Sequence, residues 1–544
     1  MHETILEVTL AVLAVRIANA IAPRVRLAAP ILLVVFGIIA SAIPQFGNLE
    51  FEPELVLAVL LPPLLFAASA SMPTMDFRRE FLPVGALAIF LVVITAVVLG
   101  FFLSWIIPDI EIWWGIALGA VLSPTDAAAV AIAKKAHLSG RLVSILEGES
   151  LLNDATALVL LRTATAAAVV SFSVWESIWD FASAAVLATI IGFIVGQVIL
   201  HVRAGIRNPA VSTVWSFVAP FLAAVPSEQL GASGLVAAVV AGLVAGNGAV
   251  KYLNADQRVS DKQTWKAIEV VLEGLIFLVM GLQLRAIVSH VRHDHDSIRI
   301  AAVTAVLALA ITLLVRALFL IPLLGFLDRY IQRGQQIKER YTQFRENLAT
   351  DALQERRCEE RLSAQGFARQ RNRFVRFFAD IDYYLSQPLG KNAGVILVWG
   401  GMRGAITLAA AQTLPTDAPH RSLLILIAFL VAAISLAVQG LTLPRVVAKY
   451  APVSDPQRIQ EQRDQVIREI LVAGLPQEQR EDFIAQMTLP RPSQADLDRR
   501  EQAQYKRLLE LRDSGEYDSE VLSATLAALD AQQIARRARA WGDE

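Results

Sequence analysis

One cysteine, Cys358, stands in a chain of 544 residues. It lies in a polar segment, so no disulfide within the chain is possible. Charge is scarce as well. Asp, Glu, Lys and Arg make up 18% of the residues, against about 25% in a soluble protein. The two signs nearly cancel, at a formal net charge of −1. Bulk charge therefore points to no nucleic-acid partner. Histidine is rare, with seven in the chain and none in 328–391 or 451–544. Neither of those polar segments can sense pH through imidazole titration. Neither segment holds a phosphate-binding glycine loop or a CxxC pair. The first apolar stretch lacks a basic leader and a small-residue cleavage site, so no cleaved signal peptide is expected.

What the chain has instead is apolar length. Hydrophobic residues make up 55% of it, and mean hydropathy is +0.51. Runs of about 20 apolar residues, each long enough to cross a bilayer, recur between residues 4 and 447. They predict an all-α polytopic membrane protein with thirteen spans, including 112–134, 141–170, 265–285, 299–326 and 392–414. One set of alternate loops holds the basic residues, among them Arg24, Arg78, Arg79, Lys134, Lys135, Arg141, Arg203, Arg207, Lys251, Arg258 and Lys262; the exception on the opposite side is the loop near Arg285–Arg299, which holds Arg292 beside two Asp. By the positive-inside rule these loops face the cytoplasm, which puts the amino terminus outside and the carboxyl terminus inside. The expected domains are a membrane domain over 1–450, carrying a cytoplasmic insertion at 328–391, and a cytoplasmic helical tail over 451–544. Charge blocks of that kind are usually solvated faces, here read as regulatory or assembly appendages.

Two spans carry signs of interruption. The fifth contains Ser123-Pro124-Thr125-Asp126, and the twelfth contains Gly400-Gly401-Met402-Arg403-Gly404. Proline removes a helix donor and clashes with the preceding turn; glycine permits a break. A carboxylate suits the positive start of a half-helix and a guanidinium the negative end of one. Asp126 and Arg403 are thus expected to compensate two broken helices. The spans are seven apart and cross in opposite directions, as inverted repeats require. Spans 4–6 pair with spans 11–13 on this reading.

The sixth span holds Glu149-Ser150-Leu151-Leu152-Asn153-Asp154. Charges at membrane depth are costly and mark ion or substrate paths. At about 3.6 residues per turn the four polar side chains share a sector of roughly 140°. Hard monovalent cations take oxygen ligands. Asp154, Ser150, the Asn153 amide oxygen and a freed carbonyl near Thr125 supply such a set. Asp154 then holds either a proton or a cation, not both, and that competition suffices for electroneutral one-for-one exchange. Glu149 would add a second charge unless it is neutralised. Arg316, deep in the eleventh span, is the expected partner. Glu273 in the tenth span is placed either near the cavity or in helix packing. His290, His293 and His295 are read as solvated loop histidines, and no resident metal or cofactor is expected.

Gly148-Glu149-Ser150 with Asn153-Asp154, Ser123-Pro124-Thr125-Asp126 and Gly400–Ala405 together resemble the monovalent cation–proton antiporter family of the NhaP and NHE type. Leu61-Pro62-Pro63-Leu64-Leu65-Phe66 and Glu273-Gly274-Leu275-Ile276-Phe277 fit the same pattern, and the likeness covers about 5–450. The resemblance implies thirteen helices, inverted repeats and a homodimer with a moving core. It also implies ion and proton binding at Asp154, with Ser150 and the Thr125 carbonyl helping to coordinate Na⁺ and Asn153 stabilising the site. Glu149 and Arg316 match the family's buried pair, and Asp126 and Arg403 match its residues at the helix crossing. Many relatives carry an acid after the Leu-Pro-Pro run; here Ala67 stands there, which puts ion choice and stoichiometry in question. The expectation is a secondary transporter, not an enzyme. It would exchange Na⁺, or alternatively K⁺ or Li⁺, for H⁺ across the plasma membrane, for pH and salt homeostasis. A K⁺/H⁺ antiporter, a cation channel and a transporter-derived sensor are the rivals. Partners are membrane lipid, a second copy and a cytoplasmic regulator of the tail.

Overall fold

A computed structural model describes residues 2–25, 27–43, 55–107, 109–126, 128–135, 138–169, 174–294, 296–349, 376–451, 456–473, 475 and 494–542. Cys358, His295 and the stretch 350–375 of the insertion lie outside them. Every regular element among the described residues is helical. The chain forms two compact units, Met1–Ile321 with Lys391–Pro452, and Pro322–Gly390 with Val453–Glu544.

The helices of the first unit are α1 (His2–Val25), α2 (Ala29–Ser41), α3 (Val56–Ser71), α4 (Thr74–Arg79), α5 (Phe81–Ile106), α6 (Ile112–Leu122), α7 (Ala128–Lys135) and α8 (Gly140–Val169). They continue as α9 (Val174–Ala204), α10 (Pro209–Gln229), α11 (Gly234–Tyr252), α12 (Ala255–Leu282), α13 (Leu284–His293) and the first part of α14 (Ile298–Ala349), whose residues from Pro322 on belong to the second unit. Seven helical segments among the described residues are long and apolar enough to cross a membrane, and Ala29–Ser41, Val56–Ser71 and Ile112–Leu122 are shorter apolar helices. The protein is thus a helical membrane protein.

Local chemistry sets several of the helix starts. Asn208 Oδ1 accepts the Ala210 N–H at 2.9 Å ahead of Pro209, a side-chain cap with proline at the first helical position. Asn254 and Gln257 form a reciprocal capping box, which satisfies two end donors at once. Helix-to-helix contact then relies on missing side chains, as is common in membranes. A Cβ on Gly281 would lie 2.9 Å from Gly37 Cα, so α2 and α12 meet backbone to backbone. A Cβ on Gly119 would lie 3.0 Å from Ala96 Cα, which seats α6 on α5.

Three sequence expectations need correction. The helix of the eleventh span does not stop at 326: α14 runs from Ile298 to Ala349 through Pro322, because the Arg-, Glu- and Gln-rich stretch beyond it favours helix. The helix of the tenth span starts at Ala255, ten residues before 265, since the capping box begins it in a polar stretch. His290 and His293 are exposed but helical, in the last turn of α13. No metal-binding cluster occurs among the described residues.

The first unit closes with α15 (Lys391–Trp399), α16 (Ala405–Gln412) and α17 (Arg421–Tyr450). In the second unit, the helix at 376–386 returns along α14, with Lys338 paired to Asp382 and Ile381 against Gly334. Its tail forms α18 (Pro456–Ala473), α19 (Gln494–Ser514) and α20 (Ser519–Gly542). These pack on one another through buried Val466, Ile470, Leu508, Leu511, Val521 and Leu522. Tyr505 donates to Asp530 at 2.7 Å and Arg507 reaches Glu469 at 2.6 Å. Burial and a hydrogen bond to Glu469 push the Tyr517 phenol above its usual range.

Candidate functional site

Two helices are broken in the first unit, and they meet. The chain leaves α6 at Leu122 and resumes helix at Ala128; it leaves α15 at Trp399 and resumes at Ala405. Between the breaks the Asp126 N–H donates to the Met402 carbonyl at 2.7 Å. Each break frees carbonyls at one half-helix end and amides at the other. Arg403 serves the carbonyls. Its guanidinium donates to Leu122 O at 3.1 Å, to Ser123 O at 3.3 Å and to Gly401 O. Asp126 serves the amides, accepting the Ala128 N–H at 3.2 Å at the start of α7. Its carboxylate also lies against the start of α16, where a Cβ on Gly404 would overlap it. The glycines of the twelfth span thus make room for charge. A Cβ on Gly401 would sit 2.8 Å from Arg316 Nε.

Sequence reading missed the support behind this crossing. The Arg403 N–H donates to Ser435 Oγ at 2.9 Å, and Gln439, bonded to Ser435, donates to Trp399 O at 3.1 Å. Two buried polar residues one turn apart in an apolar helix were the available signal.

The middle of α8 lies against this crossing. Glu149 and Arg316 form a bidentate pair, with Nη2 to Oε2 at 2.7 Å and both side chains almost fully buried. Arg316 Nε also donates to Leu397 O at 2.8 Å. Thr125 Oγ1 donates to Glu149 at 3.2 Å, and Asn153 Nδ2 donates to Thr125 Oγ1 at 2.7 Å and to Thr125 O at 3.4 Å. Asn153 therefore locks the broken stretch of the fifth span to α8. Its own Oδ1 is buried without a hydrogen-bond partner. Among the described residues Ser150 Oγ reaches only Glu147 O, at 3.5 Å.

Asp154 is buried one turn beyond Ser150. Its carboxylate accepts no hydrogen bond from any described residue; the nearby acid is Asp126. Glu149 is thus neutralised and fully engaged, and Asp154 is not. Glu273 is half-buried on α12, a helix packed against α1, α2, α3 and α16. Ala67 is buried on α3.

Sequence reading also missed two charged clusters at helix ends. Arg141 Nε donates to Glu80 at 2.9 Å, with Asp76 and Arg79 buried alongside. Arg203 pairs with Asp261, which accepts from Thr213 at 2.8 Å. At span ends such residues read as loop charges, and sequence alone gives no depth.

An all-helical membrane unit with two interrupted helices that meet at their breaks, beside a buried carboxylate, has the architecture expected of the class of secondary transporters with broken helices at the binding region. The family model of the transmembrane sodium/hydrogen exchanger matches residues 9–349, and the chain belongs to that family. The resemblance read from the motifs is borne out. Over 254 residues the chain is 37% identical to an uncharacterized Na(+)/H(+) exchanger, YjcE, of Escherichia coli (strain K12), covering 45% of this chain and 46% of that one. Over 295 residues it is 29% identical to a protein of Bacillus pumilus (strain SAFR-032) named sodium, potassium, lithium and rubidium/H(+) antiporter, covering 53% and 44%. The chain thus spans less than half the length of these two relatives. Its fold is similar to that of the sodium proton antiporter MjNhaP1 from Methanocaldococcus jannaschii, with TM-score 0.59, 14% identity, and coverage of 83% of this chain and 99% of that one.

Proposed function

We propose that the chain exchanges Na⁺ for H⁺, one for one, by alternating access across the plasma membrane. One observation carries this reading: of the two acids in the middle of α8, Glu149 is bound at both oxygens by Arg316, and Asp154 is left uncommitted. A single free carboxylate holds one positive guest at a time. Ser150 Oγ, the Asn153 Oδ1 atom and the second lone pair of the Thr125 carbonyl are the neutral oxygens offered with it, a donor set that suits a hard cation. The cation leaves to one side, a proton takes its place, and the neutral site returns. Asn153 and Thr125 hold the broken strand in position; Asp126 and Arg403 hold the four half-helix ends.

In this reading the chain crosses the membrane thirteen times, and spans 4–6 and 11–13 form inverted repeats. The carboxyl terminus is cytoplasmic, and the insertion and tail receive a regulator there. Two copies assemble through lipid-facing helices. The exchanger serves pH and salt homeostasis, with no resident cofactor.

Ion choice extends beyond Na⁺ in a second form of the reading. Ala67 provides no third-span acid, and the Bacillus pumilus relative is named for four alkali cations. A site with one carboxylate and neutral oxygens selects weakly among such ions.

The test is reconstitution into proteoliposomes with an internal pH dye. Na⁺, K⁺ and Li⁺ gradients should each drive proton flux that a membrane potential does not alter. Asp154→Asn should abolish that flux while the purified protein keeps its melting temperature. Undiminished exchange in the variant would overturn the assignment.

A further inference from the structure

An ion pair at the basic end of α8 has no part in the mechanism above. Lys134, in the last turn of α7, places Nζ 2.8 Å from Glu147 Oε1. The two ends of this pair differ. The Lys134 side chain is 51% exposed and the Glu147 side chain 11%. Water therefore reaches the lysine, while the carboxylate faces inward.

Helix geometry says where inward leads. Glu147 precedes Asp154 by seven residues, which returns it to within roughly 20° of the same azimuth, about 10.5 Å along the axis. Ser150 lies between them. Val143, one turn before Glu147, extends the stripe toward the helix start. Along it Val143, Glu147, Ser150 and Asp154 each keep between 5% and 9% of their surface, whereas Ile145, Glu149 and Asn153 keep 1% or less. One face of α8 thus carries Glu147 and Asp154 two turns apart, with Ser150 between them. Arg141, which is engaged with Glu80, falls about 120° away from Glu147, and that pair occupies a different face.

The pair is also built to open. Arg316 grips Glu149 with two nitrogens in a dry interior. Lys134 holds Glu147 through a single contact of a hydrated ammonium on a flexible stem. A pair with one end in water contributes little stability and separates readily. With the lysine turned away, a nearly buried carboxylate stands two turns from Asp154.

We propose that Glu147 receives the transported cation on the side of the membrane where α7 ends and α8 begins, and that Lys134 is its removable cover. This rests on Asp154 being the exchange carboxylate. Glu147 attracts the cation electrostatically and passes it along the Ser150 face; Lys134 competes with the cation for the same oxygen. Neither residue binds ion or proton at the moment of exchange.

Full-length protein in vesicles of defined orientation tests this. The readout is the KM for Na⁺ measured from each face, with Vmax and melting temperature recorded beside it. Glu147→Gln should raise the KM on the face where α8 begins by about five- to ten-fold, the scale of one unit charge acting from about 10 Å through protein. Vmax and the KM on the far face should stay unchanged. Lys134→Met should lower the KM on the same face. The double variant should behave as Glu147→Gln alone, because a cover has no effect without the carboxylate it covers. A merely structural tie between α7 and α8 would move melting temperatures and give no one-sided KM. Wild-type KM values on both faces in Glu147→Gln and Lys134→Met would overturn the inference, as would additive effects in the double variant. Where Glu147→Gln does not fold, Lys134→Met decides alone, since its exposed end tolerates replacement. Absence of Na⁺-driven proton flux in the wild type would instead remove the exchange reading.

Discussion

Glu149 and Arg316 show what one missing side chain would cost. Each is almost entirely buried and satisfies the other at two atoms. Removing one partner leaves an unpaired charge in the interior, at about 3–5 kcal/mol. Glu149→Ala and Arg316→Ala should each lower the melting temperature of the detergent-solubilised protein markedly; an unchanged value in both would remove the pair as a structural tie. Glu80 makes a pH-dependent contribution. Burial, opposed by Arg141 and Arg79 and helped by Asp76, pushes its carboxyl from 4.5 up to about 7. The folded protein thus holds this proton more tightly than the unfolded chain does. The stability so gained is complete below 4.5 and is lost as pH rises through about 7. Between about pH 5 and about pH 8 the wild-type melting temperature should fall relative to Glu80→Gln; parallel profiles would count against it. The two pairs also differ in how readable they are. The partnership of Glu149 with Arg316 is legible in the sequence, because two opposite charges lie deep in apolar spans and each needs a neutraliser. Glu80 and Arg141 sit where apolar runs end, and nothing in their order separates a buried end from a wet one.

At the scale of elements, the legible feature is discontinuity. Pro124 and the glycines at 400, 401 and 404 mark where helices stop, and α6, α7, α15 and α16 begin and end around them. Continuity is harder to read. Hydropathy falls after 326, which in sequence reads as the end of a span, yet backbone helicity follows propensity and α14 runs on to Ala349. Close approach is invisible as well, since a glycine in an apolar run does not say which backbone it meets. Gly404 meets Asp126, and Gly404→Ala should cost both folding yield and exchange by driving a methyl group into that carboxylate. Yield and flux equal to wild type would refute the contact.

For the whole molecule, the division into units separates the proposed exchange site from the tail helices. The residues of the crossing and of the α8 site belong to the first unit, while the tail helices belong to the second. Truncation after Pro452 should therefore leave Na⁺-driven proton flux measurable in proteoliposomes, with any change confined to its regulation. Complete loss of flux in a well-folded truncation would favour a tail that takes part in transport. Sequence composition gave the tail as polar and helical but not its packing, because the pairs Tyr505–Asp530 and Arg507–Glu469 join residues 25 and 38 positions apart.

The crossing of the two interrupted helices has one more implication. Four severed ends are served there by only two ionic side chains, and the severed strands are joined by the bond from Asp126 N–H to Met402 O. Neutralising either charge would unseat a pair of ends at once, and the remaining partner would then hold a scaffold already loosened. Asp126→Asn and Arg403→Ala combined should accordingly harm the protein less than their separate penalties added together. The junction would travel as one rigid node, and bending during the transport cycle would fall to the segments outside it.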